Sequence, residues 1–291
     1  METWQAIVLG IVEGITEYLP ISSTGHLIIA GDLMKLDRPE TKAAFDAFSV
    51  IVQGGAILAV LALYFPRFVQ MMKGLAGKDA AGFRIFTNVV IAFIPAALMG
   101  FVLRKAIEAK LFHLWPVVIA LVVGGIYMIG VELWRRSRKP MRGGIEGKSV
   151  EQMSAGDALA VGLLQIFSLC PGTSRSMMTI TAGYFRGLKP GAAAEFSFLL
   201  GMPTLLAATL YTLYKDYAEH KAAGTKNMFE VLGAKPILIG IVVAAISAFI
   251  AVRWLVGFLN KHGLAAFGFY RIGLGIVLLV LALAGIVSVS K

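Results

Sequence analysis

Residues 13–26 read EGITEYLPISSTGH, and they bring two carboxylates, a proline, two serines and a histidine into a largely apolar part of the chain. Glu13 and Glu17 are four residues apart, so their carboxylates share one face of a helix. Like charges at that spacing repel, and each is costly to ionise inside a membrane. A cation, a shared proton or water is therefore needed beside them.

The second half of the same stretch begins a new helix. Pro20 ends the first helix, and Ser22, Ser23 and His26 are predicted on the first turn of the next one. A hydroxyl, an imidazole and two carboxylates then converge on one helix N-terminus, with Thr24 between them. The alternative is structural, with the glutamates lining a polar gap and Ser22 or Ser23 as a plain N-cap. Ionisable groups inside a membrane are energetically costly, so the functional interpretation is favoured over the structural one.

The composition predicts a single membrane domain over residues 1–291. Of the 291 residues, 58% are hydrophobic and 15% are charged, whereas soluble domains carry about a quarter charged residues. The net charge of +10 resides mostly in short loops, which favours contact with anionic membrane lipids over binding of nucleic acid. Cys170 is the only cysteine, which excludes an intrachain disulfide.

Six apolar segments are long enough to span a bilayer at about 20 residues each. They are 44–65, 85–103, 114–134, 191–214, 236–259 and 266–288. Two further apolar regions, 4–34 and 154–187, are interrupted in the middle. Each is predicted to form a helix–loop–helix hairpin that enters the membrane and returns.

The chain contains an internal repeat, with a first unit over about residues 1–134 and a second over about 150–291. A spanning segment with related residues follows each hairpin, AFS at 47–49 and EFS at 195–197. Three spanning segments separate the hairpins, so the halves have opposite orientation, as in transporters with inverted repeats. The predicted fold is an all-α polytopic membrane protein with six transmembrane helices and two re-entrant hairpins.

Loop charges predict the orientation. The loop at 135–148 is the most basic short loop and is expected in the cytoplasm. The first hairpin then enters from the outside of the membrane, and the second from the cytoplasm. The site is expected to open to the outer face.

The second hairpin contains the sequence PGTSRS at residues 171–176. A glycine, several hydroxyls and a guanidinium next to a helix N-terminus are typical of a phosphate-binding nest. Arg175 could instead snorkel to the interface or pair with a carboxylate as a structural strut. If the hairpins meet, two helix N-termini favour a compact polyanion such as pyrophosphate, and the apolar surroundings suit a lipid tail.

Two other polar positions keep two readings each. Gln53 interrupts the segment 44–65 and is either a hydrogen-bonding partner in the centre or part of a packing site made by Gly54 and Gly55. Glu195 either complements the dipole of the helix that it opens or belongs to the site.

Residues 13–26, 171–176 and 195–200 (EFSFLL) closely resemble the signature regions of the bacterial undecaprenyl-pyrophosphate phosphatases, the bacitracin-resistance family. The resemblance covers essentially the whole chain. It implies hydrolysis of undecaprenyl pyrophosphate to the monophosphate and inorganic phosphate, which recycles the lipid carrier for cell-wall synthesis and confers bacitracin resistance. It also implies six spanning helices with two re-entrant hairpins, often in a homodimer. Met177 and Met178 depart from the smaller residues common in similar proteins.

Residues and resemblance together define the predicted site. The predicted catalytic residues are Glu17, Ser23, His26 and Arg175. The predicted substrate-binding residues are Ser22, Thr24, Gln53, Gly172, Thr173, Ser174, Ser176 and Thr179. Glu13 and Glu17 are also predicted ligands of a divalent cation, Mg²⁺ or Ca²⁺, although the sequence has no full metal-ligand signature.

The chemistry leaves three routes open. Ser23 attacks with His26 or Glu17 as its base, His26 attacks directly, or water attacks without a covalent intermediate. Arg175 and the helix N-termini would neutralise the charge that develops on the phosphoryl group.

Two other classes compete with this interpretation. A transporter or lipid flippase would have the same inverted repeat without catalysis, and release of phosphate distinguishes it. The unrelated acid-phosphatase superfamily needs a histidine and an aspartate shortly after its Ser-Arg pair, and residues 176–184 contain neither.

Overall fold

The computed structural model describes residues 1–36, 38, 40–111, 113–137 and 147–287, and the regular elements of these residues are helices. In chain order the α-helices are α1 Thr3–Thr16, α2 Ser23–Leu33, α3 Lys42–Ile51, α4 Gln53–Leu63, α5 Phe65–Leu75, α6 Ala80–Leu111, α7 Leu114–Ser137, α8 Ala155–Gln165, α9 Arg175–Phe185, α10 Pro190–Ala223, α11 Met228–Leu232, α12 Ala234–His262 and α13 Ala265–Leu283. Short 3-10 helices lie at Val150–Gln152 and Ile166–Leu169.

Six segments are long and apolar enough to cross a membrane, and all six predicted spans are confirmed. They are Lys42–Leu63, Ala80–Ile107, Leu114–Ser137, Pro190–Ala223, Ala234–His262 and Ala265–Leu283. The first span contains a break at Val52, directly before Gln53, between α3 and α4. Large apolar side chains cover the outside of the bundle, which is the surface that lipid tails require.

The two interrupted regions are helix pairs whose members are individually short. Helix α1 has 14 residues and α2 has 11, while α8 and α9 have 11 each. At 1.5 Å per residue, none of them covers a hydrocarbon core of about 30 Å. The first pair is interrupted at residues 17–22, and the second between residues 166 and 174.

The order and packing of the helices repeat in the two halves. Each half has a short-helix pair, a spanning segment, a short helix and two further spanning helices. Helix α1 packs along α12 of the second half, and α8 packs along α6 of the first half. Glycines permit both close approaches, because a Cβ at Gly14 would overlap Ser247 and one at Gly162 would overlap the backbone of Ala92. The exchange of partners interlocks the two halves, and the internal repeat itself stays a prediction.

The ends of the two short-helix pairs are closed by different bonds. In the first pair, Gln5 Nε2 donates to the carbonyl oxygen of Met34 at 3.2 Å. In the second, the buried Asp157 accepts from Lys148 Nζ and from Arg186 Nε, each at 2.8 Å. Burial alone would raise the pKa of Asp157, but hydrogen bonds from Lys148, the Ser154 N–H and Arg186 hold it well below its usual range.

Glu195 has a third role that neither sequence reading anticipated. It lies in the second turn of α10, where its Oε1 accepts from Arg67 Nε of α5 at 2.6 Å. Arg67 also pairs with Glu151. Glu195 is therefore part of an ionic contact between the halves.

Candidate active site

Both short-helix pairs present a serine in the same unusual backbone conformation at the break. Ser22 has φ 72° and ψ 104°, and Ser174 has φ 74° and ψ 114°. Each serine is the N-cap of the following helix, so Ser23 and Arg175 are the first residues of α2 and α9. The Ser174 hydroxyl accepts the N–H of Met177 at 3.3 Å, whereas Ser22 makes no side-chain cap. Of the two serines, Ser174 alone caps its helix through the side chain, and the alternative of Ser22 as a plain N-cap does not hold.

The two breaks are in contact, which is the condition that the sequence left open. Arg175 Nη2 donates to Glu17 Oε1 at 3.0 Å, and both side chains are nearly buried, with 9% and 8% exposed. A second bond runs from Ser176 Oγ to the carbonyl oxygen of Leu19, also at 3.0 Å. One hairpin therefore supplies the anion and the other the cation of a largely buried pair.

Arg175 is held from three sides. Its Nη1 donates to the carbonyl oxygen of Ser197 at 3.0 Å, and its guanidinium lies 5.0 Å from the centre of the Tyr18 ring. Its Nε is buried without a partner. Snorkelling to the interface is excluded by this burial. The contact with Glu17 agrees with the interpretation of Arg175 as a structural strut. Its unpaired Nε can still donate to a phosphate oxygen.

Glu17 also connects the breaks to the predicted nucleophile. Ser23 Oγ donates to Glu17 Oε2 at 2.9 Å, so the two carboxylate oxygens serve Ser23 and Arg175 separately. Of the two bases considered for Ser23, Glu17 is the one in hydrogen-bonding contact with it. A carboxylate in this position can accept the hydroxyl proton.

His26 is directed elsewhere. Its Nδ1 lies 2.8 Å from the carbonyl oxygen of Ser22, which only accepts, so the neutral ring carries its proton on Nδ1. Its Nε2 then accepts from the hydroxyl of Tyr270 at 2.8 Å. Both ring nitrogens are thus engaged, and neither bond is to Ser23.

The remaining predicted hydroxyls fall into two groups. The hydroxyl oxygens of Ser174 and Ser176 are 3.0 Å apart. The Thr179 hydroxyl oxygen lies 2.6 Å from that of Ser197, and Thr179 also donates to the carbonyl oxygen of Arg175. Within the described residues, Thr24 and Thr173 are half-buried and their side chains form no hydrogen bond. Ligand binding by all of these residues stays a prediction.

The structure also shows what surrounds the glycines and Gln53. Gly172 has φ +88°, and a Cβ there would lie 2.8 Å from the Val117 backbone, so this glycine is needed for packing against α7. Gly55 packs against the α12 backbone, whereas Gly54 faces open space. The Gln53 side chain has no hydrogen-bond partner in the described part of the chain. A ligand contact of Gly172 or Gln53 is a prediction still.

The fit to a divalent cation is partial. Glu13 is fully buried and both of its carboxylate oxygens lack a partner, whereas both oxygens of Glu17 are occupied. Across residues 1–36, 38, 40–111, 113–137 and 147–287, no three His, Cys, Asp or Glu side chains are grouped to hold a metal ion. A cation at Glu13 would therefore need further oxygen ligands from substrate or water.

Sequence reasoning missed several residues of the site, namely Tyr18, Ser197, Tyr270 and Arg271. Arg271 could have been found by the rule used for Glu13, because it is an ionisable residue within a spanning segment. Tyr270 and Tyr18 have no such signal, since aromatic residues are ordinary in membrane helices.

The fold and the site define a multi-pass membrane protein in which two interrupted helix pairs join a carboxylate, a serine and an arginine. A family model described as Bacitracin resistance protein BacA matches residues 6–277. The chain belongs to this family.

Curated relatives are similar over nearly their full length. Undecaprenyl-diphosphatase 2 of Rhodospirillum rubrum and undecaprenyl-diphosphatase of Nitrosomonas europaea are each 44% identical over 286 residues, covering 98% of this chain and 97% of the relative. Undecaprenyl-diphosphatase 1 of Paraburkholderia xenovorans is 42% identical over 284 residues, covering 97% of this chain and 95% of the relative.

Proposed function

We propose that this chain hydrolyses undecaprenyl diphosphate (undecaprenyl pyrophosphate) to undecaprenyl phosphate and inorganic phosphate, at the cluster formed by Glu17, Ser23 and Arg175. Family membership and the names of the relatives support the reaction. The observation that carries the site is Glu17, which accepts from Ser23 through Oε2 and from Arg175 through Oε1. A nucleophile, its base and a phosphate-binding cation are thereby joined through one side chain.

In the first step, Ser23 Oγ forms a bond to the terminal phosphorus and Glu17 takes the hydroxyl proton. The bond from that phosphorus to the bridging oxygen breaks, and undecaprenyl phosphate leaves with the bridging oxygen. In the second step, water attacks the phosphoserine and inorganic phosphate departs. Glu17, having lost its first proton to solvent, takes one from this water and returns it to Ser23.

Substrate binding would also activate the base. Glu17 Oε1 accepts from the guanidinium that would also bind a phosphate. A diphosphate, with more charge and more acceptor oxygens, displaces the carboxylate from Arg175. Glu17 would then be released from Arg175 while its other oxygen stays bonded to Ser23, where it can accept the hydroxyl proton.

His26 and the cation take supporting roles in this proposal. His26 is held by Ser22 and Tyr270, so its direct attack would require the Tyr270 bond to break. Glu13 would bind Mg²⁺ or Ca²⁺ together with phosphate oxygens, and the ion would supply further neutralisation of the developing charge. Attack by water in place of Ser23 predicts no phosphoserine, which trapping with acid during turnover would detect or exclude.

The reaction is tested by release of phosphate from undecaprenyl diphosphate by the purified protein. We expect turnover that disappears when Ser23 is changed to alanine, at matched amounts of folded protein. A folded wild-type protein that releases no phosphate but moves the lipid between leaflets of a vesicle would instead support a flippase.

The location is part of the same proposal. We place the chain in the bacterial plasma membrane, with the site open to the periplasm and with lipid, and a second copy of the chain, as neighbours. A cysteine at Thr24, with Cys170 changed to serine, should react with an impermeant thiol reagent added to intact spheroplasts. A cysteine at the exposed Lys78 is the control, because two spanning segments separate its loop from 135–148 and so place it on the cytoplasmic side. Labelling of Lys78→Cys and protection of Thr24→Cys would show that the orientation is opposite to the one proposed.

A further inference from the structure

Arg271 of α13 is a fully buried arginine with few partners. Its side chain is 0% exposed, and only Nη2 is satisfied, donating to the carbonyl oxygens of Ala120 at 2.8 Å and Gly172 at 2.9 Å. Its Nε and Nη1 have no hydrogen-bond partner. Among the described residues, no carboxylate forms an ion pair with it, unlike Arg175, which has Glu17.

An arginine in this state is costly to keep. A buried charge without a counter-charge loses hydration that two neutral carbonyls only partly replace. A purely structural contact would be made at lower cost by a packed apolar side chain. The facing helix nevertheless makes room for it, because a Cβ at Gly124 of α7 would overlap Nη2. The missing counter-charge therefore points to an anion that is present only part of the time.

The position of Arg271 indicates where this anion binds. Its acceptor Gly172 belongs to the break before α9, two residues from Ser174 and three from Arg175. The neighbouring Tyr270 donates to His26 Nε2 in α2 of the first pair. Helix α13 therefore contacts the break before α9 and the helix that follows the other break, with the buried cation on the side of the phosphate-binding segment.

We propose that Arg271 is a positioning residue for the diphosphate group. It acts through its hydrogen bond to the Gly172 carbonyl oxygen and through its uncompensated charge. It fixes the segment 170–174 in the conformation that receives the anion, and the bound anion provides the absent counter-charge. This inference rests on the proposed phosphatase function. Arg175 makes the direct contact, whereas Arg271 acts from behind the loop.

The test compares Arg271→Met, Arg271→Lys and, as a matched control, Arg253→Met on the exposed side of α12. Inorganic pyrophosphate is the binding probe, measured by the rise in Tm that it produces, and KM and kcat are measured with undecaprenyl diphosphate. For Arg271→Met we expect an unchanged or higher Tm without pyrophosphate, because a buried unpaired charge is removed. We also expect loss of most of the pyrophosphate shift and a KM raised about tenfold, the scale of one charge acting across a partly buried distance. Arg271→Lys should retain most of the shift, and Arg253→Met should match wild type.

A structural role gives a different pattern. Lower Tm without pyrophosphate, with the pyrophosphate shift and KM of wild type, would show Arg271 to be a strut and overturn the proposal. If Arg271→Met does not fold, Arg271→Lys decides: a retained shift supports the role of charge, and a lost shift contradicts it. A wild-type protein that neither binds pyrophosphate nor releases phosphate would remove the proposed function itself. Normal wild-type activity with unaffected Arg271→Met removes this inference alone.

Discussion

The two short-helix pairs share a backbone but divide the chemistry. Ser22 and Ser174 occupy the N-cap position of the second helix of each pair with φ of 72° and 74°, yet the side chains around them differ. The first pair contributes Glu13, Glu17 and an additional hydroxyl, whereas the second contributes Arg175. Neither pair could bind and activate a phosphate ester alone. The opposite charges of the one site therefore come from different halves of the chain.

The pairs also differ in how their helices are packed. Every residue of α9 from Ser176 to Tyr184 is buried, whereas α2 keeps only Gly25, Leu27 and Gly31 buried. The second pair is therefore a firm base for the cation, and the first presents its polar groups from a less enclosed helix. If this division is right, substitutions in the second pair should impair binding of the phosphate, and those in the first should impair proton transfer.

The largest effect is expected at Arg175. Arg175→Ala removes the guanidinium that would neutralise the transferring phosphoryl group, so turnover should fall on the order of 10³-fold or more, with folding retained. Arg175→Lys should recover little, because one ammonium cannot hold the Ser197 carbonyl and a phosphate as a planar fork does. Phosphate release at matched folded protein is the measurement. Near-normal turnover of Arg175→Lys would contradict the fork-like contact.

The next effect concerns the two carboxylates of the first pair. Glu17→Gln keeps an acceptor for Ser23 but cannot take its proton, so turnover should fall on the order of 10²-fold or more. Glu13→Gln should act through cation affinity, and high Mg²⁺ or Ca²⁺ should restore it in part, whereas removal of divalent ions should lower wild-type turnover. The assay is phosphate release by both variants across a cation titration. Full activity of Glu17→Gln would end its role as base.

The sequence predicted the six spanning segments and the positions of the two interruptions. Long apolar runs define spanning helices directly, and Pro20 and the PGTSRS segment mark the breaks because proline and glycine interrupt a helix. A carboxylate partner for Arg175 was one of the alternatives that the sequence left open, and Glu17 is that partner. These inferences depend on local sequence or on charge, both of which can be recognised directly in the amino-acid sequence.

The sequence could not predict which partner each site residue selects. The choice of Glu17 over His26 as the neighbour of Ser23 depends on Tyr270, which approaches from a helix 244 residues away. The Ser197 and Leu19 contacts use backbone carbonyl oxygens, which every residue has. Glu195 was assigned from its place in one helix, but its partner Arg67 comes from the other half. Such contacts are set by three-dimensional packing.

Removing the bonds that join the ends of each short-helix pair should have a smaller effect, on stability. Asp157→Ala removes a carboxylate bonded to Lys148 and Arg186 and should cost about 2 kcal/mol, discounted because both cations remain partly exposed. Gln5→Ala removes one neutral hydrogen bond and should cost about 1 kcal/mol. The measurement is thermal unfolding of each purified variant in detergent. Equal losses would show that the ionic closure adds nothing.

Acidification should separate these two closures further. The pKa of Asp157 is held below its usual range, so its contribution is complete above the unfolded value, about pH 4. It is lost as the pH falls through the lower value of the folded state, because the carboxylate becomes protonated. The Gln5 contribution involves no titrating group. The stability difference between Asp157→Ala and wild type should therefore shrink on acidification, while that of Gln5→Ala should not.

The smallest effect should come from the matched serines. A residue other than glycine at φ near +70° bears a backbone strain of about 1 kcal/mol, which glycine relieves. Ser22 makes no cap, so Ser22→Gly should raise stability by up to about 1 kcal/mol. Ser174 caps Met177 and contacts Ser176, so the same relief in Ser174→Gly is offset by the lost bonds and the net change should be near zero. The alanine variants keep the strain and isolate the bonds: Ser174→Ala should lose about 1 kcal/mol and Ser22→Ala much less. Identical changes at both positions would mean that the shared backbone, and not the hydroxyl, determines what each serine contributes.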